Sequence, residues 1–264
     1  MTRVLSLLPL GLLTLAAALL ATLSESSPTH LEPRLSWCPP SSGHPFGCGE
    51  GGVDLLALVS RAELGGVALA VGVSFAGFAV GTPLGALAGL ARGGTERIVA
   101  RTADLIQAFP TFLLALVVLS AVRSPNRLHL GLVFGATAWA PFARLALAET
   151  RVLRQATFVE AARALGLGRA RVVVRHIVPQ LLGVVAVQLG STGAAIVVSE
   201  AALAFVGLGP RDGVSLGAVM DQGVAAMLRA PHVLVVGALS IFLTSVSLLL
   251  AGRTLEGVSR RRQA

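Results

Sequence analysis

The stretch Val159-Glu160-Ala161-Ala162-Arg163-Ala164-Leu165-Gly166-Leu167-Gly168-Arg169-Ala170-Arg171-Val172-Val173-Val174-Arg175-His176-Ile177-Val178-Pro179-Gln180 separates two apolar runs. It carries four arginines (Arg163, Arg169, Arg171, Arg175) and a single acid, Glu160. Ala156 to Leu165 is rich in strong helix formers. Gly166 and Gly168 interrupt it, as glycines do at a helix C-terminus where a left-handed residue is required. Arg169 to His176 resumes a helical pattern before Pro179, and proline suits the first turn of a following helix. The local reading is helix, tight turn, helix, then a membrane span.

The rest of the chain fits a membrane setting. Mean hydropathy is +0.80. Only 13% of the 264 residues are charged, about half the share in an ordinary soluble domain. Uncharged apolar runs recur at the length that crosses a bilayer core. Six spans are predicted: Val4–Leu23, Leu64–Ala91, Leu105–Val122 with Pro110 inside it, Leu130–Ala148 with Arg144 near its end, Leu181–Leu208 with Glu200 inside it, and Val233–Gly252. The first also has the basic start and small-residue end of a signal peptide. Small residues at Gly81, Gly85 and Gly89 would let the second span approach a neighbour closely, and Pro83 would kink it. Arg92 to Arg101 reads as a short basic turn.

Six spans leave both termini on one side. Fifteen arginines then fall on the side of Glu160 and six on the other, so the Glu160 loop is cytoplasmic by the positive-inside rule. The expected division is a first transmembrane helix at 1–23, an extracytoplasmic loop at 24–61, a transmembrane core at 62–255 with a cytoplasmic loop at 149–180, and a basic cytoplasmic tail at 256–264. Cys38 and Cys48 both fall in the extracytoplasmic loop, where disulfides persist. A bridge between them and two free thiols both fit the sequence. His44 is near, but the ligand set matches no zinc pattern.

Several classes are excluded. The net charge of +8 does not mark a nucleic-acid binder, because the basic residues alternate with spans and no recognition motif accompanies them. The chain has no lysine and no P-loop, so it carries no ATP site of the usual kind. No catalytic pair, metal cluster or cofactor motif is legible. Charged residues at membrane depth are few: Asp104, Arg144 and Glu200. A polar lining or gate of a pathway and helix-packing polarity both account for them. Asp104 and Arg144 fall near the cytoplasmic ends of their spans, close enough in depth to pair.

Glu160-Ala161-Ala162, then Gly166, then Pro179, resembles the EAA loop of ABC importer permease subunits. The block Arg175-His176-Ile177-Val178-Pro179-Gln180 is similar to the Arg-His-Ile-Leu-Pro-Asn of the dipeptide/oligopeptide/nickel branch. His44, Pro45, Gly47, Gly52 and Asp54 match a second family signature, with Phe46, Cys48, Gly49 and Val53 departing from it. Asp104-Leu105 with Ala108-Phe109-Pro110-Thr111, the set Trp139, Phe142, Ala143 and Arg144, and Ser199 to Gly209 (Ser-Glu-Ala-Ala-Leu-Ala-Phe-Val-Gly-Leu-Gly) resemble further family motifs. The likeness runs over roughly residues 44 to 255.

The resemblance implies an all-α polytopic fold with six transmembrane helices, the type I importer permease architecture, in the inner membrane. It implies that Glu160, Ala161, Ala162, Gly166 and Pro179 couple to two ATP-binding cassette ATPases. It further implies a second homologous permease subunit, an extracytoplasmic substrate-binding protein and the lipid bilayer as partners. This chain would form half of a pathway for peptides or related small solutes and would itself make and break no bond. A nickel or other small-solute importer of the same branch is the nearest alternative. A membrane-embedded enzyme or a self-sufficient channel is more distant, because the former needs a catalytic pair and the latter no ATPase-docking loop.

Overall fold

A computed structural model describes residues 31–263 and Ala17, with side chains through residue 256. The expected first span, Val4–Leu23, lies outside the described residues apart from Ala17. Nine α-helices carry the described chain: α1 (Leu55–Ala91), α2 (Gly94–Ala108), α3 (Thr111–Ser120), α4 (Arg127–Leu153), α5 (Thr157–Ala164), α6 (Arg169–Val172), α7 (Val178–Phe205), α8 (Leu216–Ala225) and α9 (Pro231–Gln263). The all-α expectation holds for this region. Four helical stretches are long and apolar enough to span a membrane: Leu55–Ala91, Arg127–Leu153, Arg169–Phe205 and Pro231–Glu256.

The expected third span, Leu105–Val122, is not a single helix. α2 and α3 meet at a 69° bend around Phe109 and Pro110. Proline at 110 has no N–H for the helical ladder and disfavours helix at the residue before it, so Phe109 is extended. The stretch 94–101, read as a basic turn, is the first half of α2. Contacts at its two ends set the pair alongside α4. Glu96 bonds to Arg151 and Arg154 at the end of α4, while the Arg127 N–H, just past α3, donates to Asp212 in the α7–α8 loop at 3.1 Å.

The loop before α1 also ends sooner than expected. α1 begins at Leu55, so Arg61 and Glu63 are helical and Glu63 is buried. The helix starts there because Asp54 caps it, its Oδ1 accepting the N–H of Leu56 at 2.7 Å. His44 Nδ1 lies 2.9 Å from the other carboxylate oxygen of Asp54. Cys38 and Cys48 form a disulfide, and Cys48 pairs with Asp54 in an isolated β-bridge. The His44…Asp54 signature is thus a small knot that fixes the start of α1.

α1 is 37 residues long, about 55 Å, and so overhangs a hydrocarbon core of roughly 30 Å. Its partner is α4. Gly77, Gly81, Gly85 and Gly89 recur every fourth residue and face the α4 backbone at Ala138, Trp139, Ala143 and Leu147. A Cβ at any of the four would press on a carbonyl or side chain of α4. Small residues at this spacing let two helix backbones approach where lipid supplies no hydrophobic drive for association. α1 runs on as helix through Pro83, and α4 through Pro141 and Arg144.

Buried apolar residues stack in three main layers along this axis. Leu55, Val59, Leu216, Val219 and Val233 pack at the Cys48 end. Leu119, Leu130, Phe134, Val197 and Leu203 pack in the middle. Ala86, Leu90, Phe142, Val159, Val172 and Ile177 pack at the far end, where α5 and α6 sit.

Candidate coupling segment and polar groove

The segment after α4 is built to present one face and bury the other. In α5, Val159 and Ala162 are buried at 0% and 5% exposure, whereas Glu160 and Ala161 are exposed. The helix stops in a Schellman turn: Gly166 N–H donates to Arg163 O at 2.9 Å, and Leu167 N–H to Ala162 O at 3.2 Å. Gly166 takes φ +77°, the left-handed conformation that only glycine adopts without strain. α6 then runs into a π-turn, Val173–Ile177, ahead of α7. Pro179 falls in the first turn of α7, where its missing N–H costs least.

These residues are one unit. Val159, Ala162, Val172, Val173 and Ile177 share a cluster with Ala86 and Leu90 of α1, Phe142 and Ala146 of α4, and Leu181 and Val185 of α7. A displacement of α5 therefore reaches three spans through packed side chains. Leu165 and Val174 stand 80% and 67% exposed on the same end of the molecule. Among the described residues the Glu160 carboxylate forms no ion pair. A buried apolar face, an exposed acid and exposed large apolar side chains lie together at this end of the molecule.

A second polar feature at this end was not legible beforehand. Glu96 accepts from Arg151 Nε at 2.5 Å and from Arg154 Nη1 at 3.2 Å, and Arg154 also donates to Gly89 O at 2.9 Å. This clamp ties the α1–α2 turn to the last turn of α4, immediately before α5. The only sequence signal was a lone acid in a basic turn.

The three charged residues expected at membrane depth do not form one site. Asp104 and Arg144 are ion-paired, and both are largely exposed. Glu200 lies apart, 5% exposed, hydrogen-bonded to Ser215 and acted on by the charge of Arg127. Arg127 in turn donates to Val214 O at 2.9 Å. Glu63, on α1, is a second buried carboxylate, with Oε1 lacking a hydrogen-bond partner. Among the described residues no cluster of His, Cys, Asp and Glu is arranged to hold a metal.

Between the α2–α3 bend, α4 and α7 lies an open groove of about 490 Å³. Its wall includes Gln107, Thr111, Thr137, Gln188, Thr192 and Ser199. The Asp104–Arg144 pair stands one helical turn from it, because Asp104 precedes Gln107 by three residues and Arg144 follows Pro141, another lining residue, by three.

Residues 81–257 match a sequence family described as the binding-protein-dependent transport system inner membrane component. The chain belongs to this family. Its curated relatives include the oligopeptide transport system permease protein OppC of Haemophilus influenzae, 33% identical over 205 residues that cover 76% of this chain and 65% of that protein. The glutathione transport system permease protein GsiD of Shigella dysenteriae is 38% identical over 219 residues, covering 81% and 70%. The permease therefore spans about two thirds of the length of these relatives. Its fold is similar to a chain of the MetNI methionine ABC transporter solved in inward-facing conformations, with a TM-score of 0.60, 21% identity, and coverage of 76% of this chain and 96% of that one. The permease is a multi-pass membrane protein of an inner-membrane importer family.

Proposed function

We propose that this permease forms half of the translocation pathway of an ATP-driven importer, and that α5 is the element through which ATPase subunits move it. The observation that carries this reading is the construction of α5: a helix closed by a glycine-specific turn, exposing Glu160 and packing Val159 and Ala162 onto α1, α4 and α7. ATP binding closes two partner ATPases. Their motion is passed to α5 and from there to three spans, and alternating access follows as a population shift between inward- and outward-facing states. A second permease subunit completes the pathway, and an extracytoplasmic binding protein delivers cargo at the Cys38–Cys48 end. Peptides or related small solutes are the cargo class, supported by the oligopeptide and glutathione permeases among the relatives. The chain contributes no chemistry to ATP hydrolysis. The test is reconstitution with the partner subunits in vesicles. Tripeptide uptake should require ATP and this chain together, and uptake without ATP would contradict the reading.

A further inference from the structure

The wall of the groove is more polar than that of the other cavity between the long helices. A second cavity, between α1, α7 and α9, is lined by Val71, Phe75, Leu189, Leu248 and Leu255, as a lipid-facing crevice should be. The groove instead gathers amides and hydroxyls without a charged residue. Gln188, Thr192 and Ser199 form one stripe along α7, at intervals of four and seven residues, all half-buried. Polar groups in lipid are costly unless they meet protein or water. The backbone break at Phe109–Pro110–Thr111 opens on the same groove, and irregular backbone at membrane depth is tolerated where it lines a cavity.

The hydrogen bonds already made decide what is on offer. Gln107 Nε2 donates to Ala103 O, Gln188 Nε2 to Thr192 Oγ1, and Thr137 Oγ1 to Phe134 O. Each amide NH2 keeps a second hydrogen, so Gln107 and Gln188 offer both a carbonyl acceptor and an N–H donor. The Thr192 hydroxyl, accepting from Gln188, keeps its hydrogen to donate. The volume falls in the ordinary range of small-molecule sites, roughly 300–1,000 Å³.

We propose that this groove is the cargo track of the permease, and that it holds a peptide through its backbone amides by neutral donor and acceptor contacts that do not read side-chain charge. The proposal rests on the transport reading above. A bare or hydrated divalent cation finds no carboxylate or imidazole in this wall, whereas peptide N–H groups find the glutamine carbonyls. The nearest charges, Asp104 and Arg144, neutralise one another.

The experiment uses the complete complex in vesicles, with three tripeptides, Ala-Ala-Ala, Ala-Lys-Ala and Ala-Asp-Ala. Each variant's rate is divided by the wild-type rate for the same peptide, which cancels the preference of the binding protein. Gln188→Glu places a carboxylate in the wall. It should cut Ala-Asp-Ala uptake about tenfold or more and leave Ala-Lys-Ala within about twofold. Thr192→Val removes one hydroxyl and should slow all three by roughly threefold to tenfold. Equal effects of Gln188→Glu on the three peptides, or wild-type rates in Thr192→Val, would overturn the inference. If Gln188→Glu fails to reach the membrane, the Thr192→Val rates decide alone. ATP-dependent uptake by the wild type keeps the transport reading whichever way the variants fall. Wild-type vesicles that take up none of the peptides overturn both.

Discussion

Glu96, in the first turn of α2, accepts a hydrogen bond from Arg151 Nε at 2.5 Å, and so joins the α1–α2 turn to the last turn of α4. Arg151 is 48% exposed, which makes that contact weak, but Arg154 on the same carboxylate is 17% exposed. Glu96→Ala leaves Arg154 with a carbonyl partner and no counter-charge. The expected cost is about 1–3 kcal/mol, read as a lower unfolding midpoint in detergent and a several-fold loss of uptake. An unchanged midpoint would show that the clamp does not hold α4 in place.

The Cys38–Cys48 bridge closes a ten-residue separation beside the cap of α1. Breaking it should loosen the knot of His44, Cys48 and Asp54 by about 2–3 kcal/mol and leave the far end of the bundle intact. Cys48→Ser is expected to raise proteolysis of residues 31–54 in intact cells, with ATPase association unaltered. Equal protease resistance with and without the bridge would remove it as a structural element.

The glycine ladder of α1 gives a paired prediction. Gly85→Leu forces a side chain onto the Ala143 backbone, whereas Gly72→Leu meets nothing within 4 Å. Overpacking of this kind costs about 1–3 kcal/mol or more. Gly85→Leu should lower the amount of folded protein in the membrane, and Gly72→Leu should match wild type. Equal accumulation of the two would show that α1 and α4 do not rely on close approach.

The parts of this fold legible in the sequence are those set by local chemistry. Apolar length located four of the long helices, Gly166 marked the turn after α5, and Pro179 marked the start of α7. The signature around His44 and Asp54 was visible as a motif, but its use as a helix cap was not, because capping depends on where the next helix begins. For the same reason the expected start at Leu64 fell late: α1 begins at the Asp54 cap and carries Glu63 buried. Pro110 was read as sitting within a span, since the sequence shows that a proline interrupts and not that the chain turns by 69°. The groove was invisible. Gln107, Thr137 and Gln188 lie far apart in sequence, and only tertiary packing gathers them on one wall.

The most direct test of the account is the affinity of purified ATPase subunits for vesicles carrying Glu160→Lys or Gly166→Val permease. Glu160 is exposed and unpaired among the described residues, so its reversal leaves the bundle packed. Gly166 has open space around its missing Cβ, so valine there acts only through φ +77°, at about 1–3 kcal/mol of strain on the turn. Both variants should insert at wild-type levels and bind the ATPases about tenfold or more weakly, with uptake lost in proportion. Wild-type affinity and uptake in both variants would contradict the claim that α5 couples this permease to ATP.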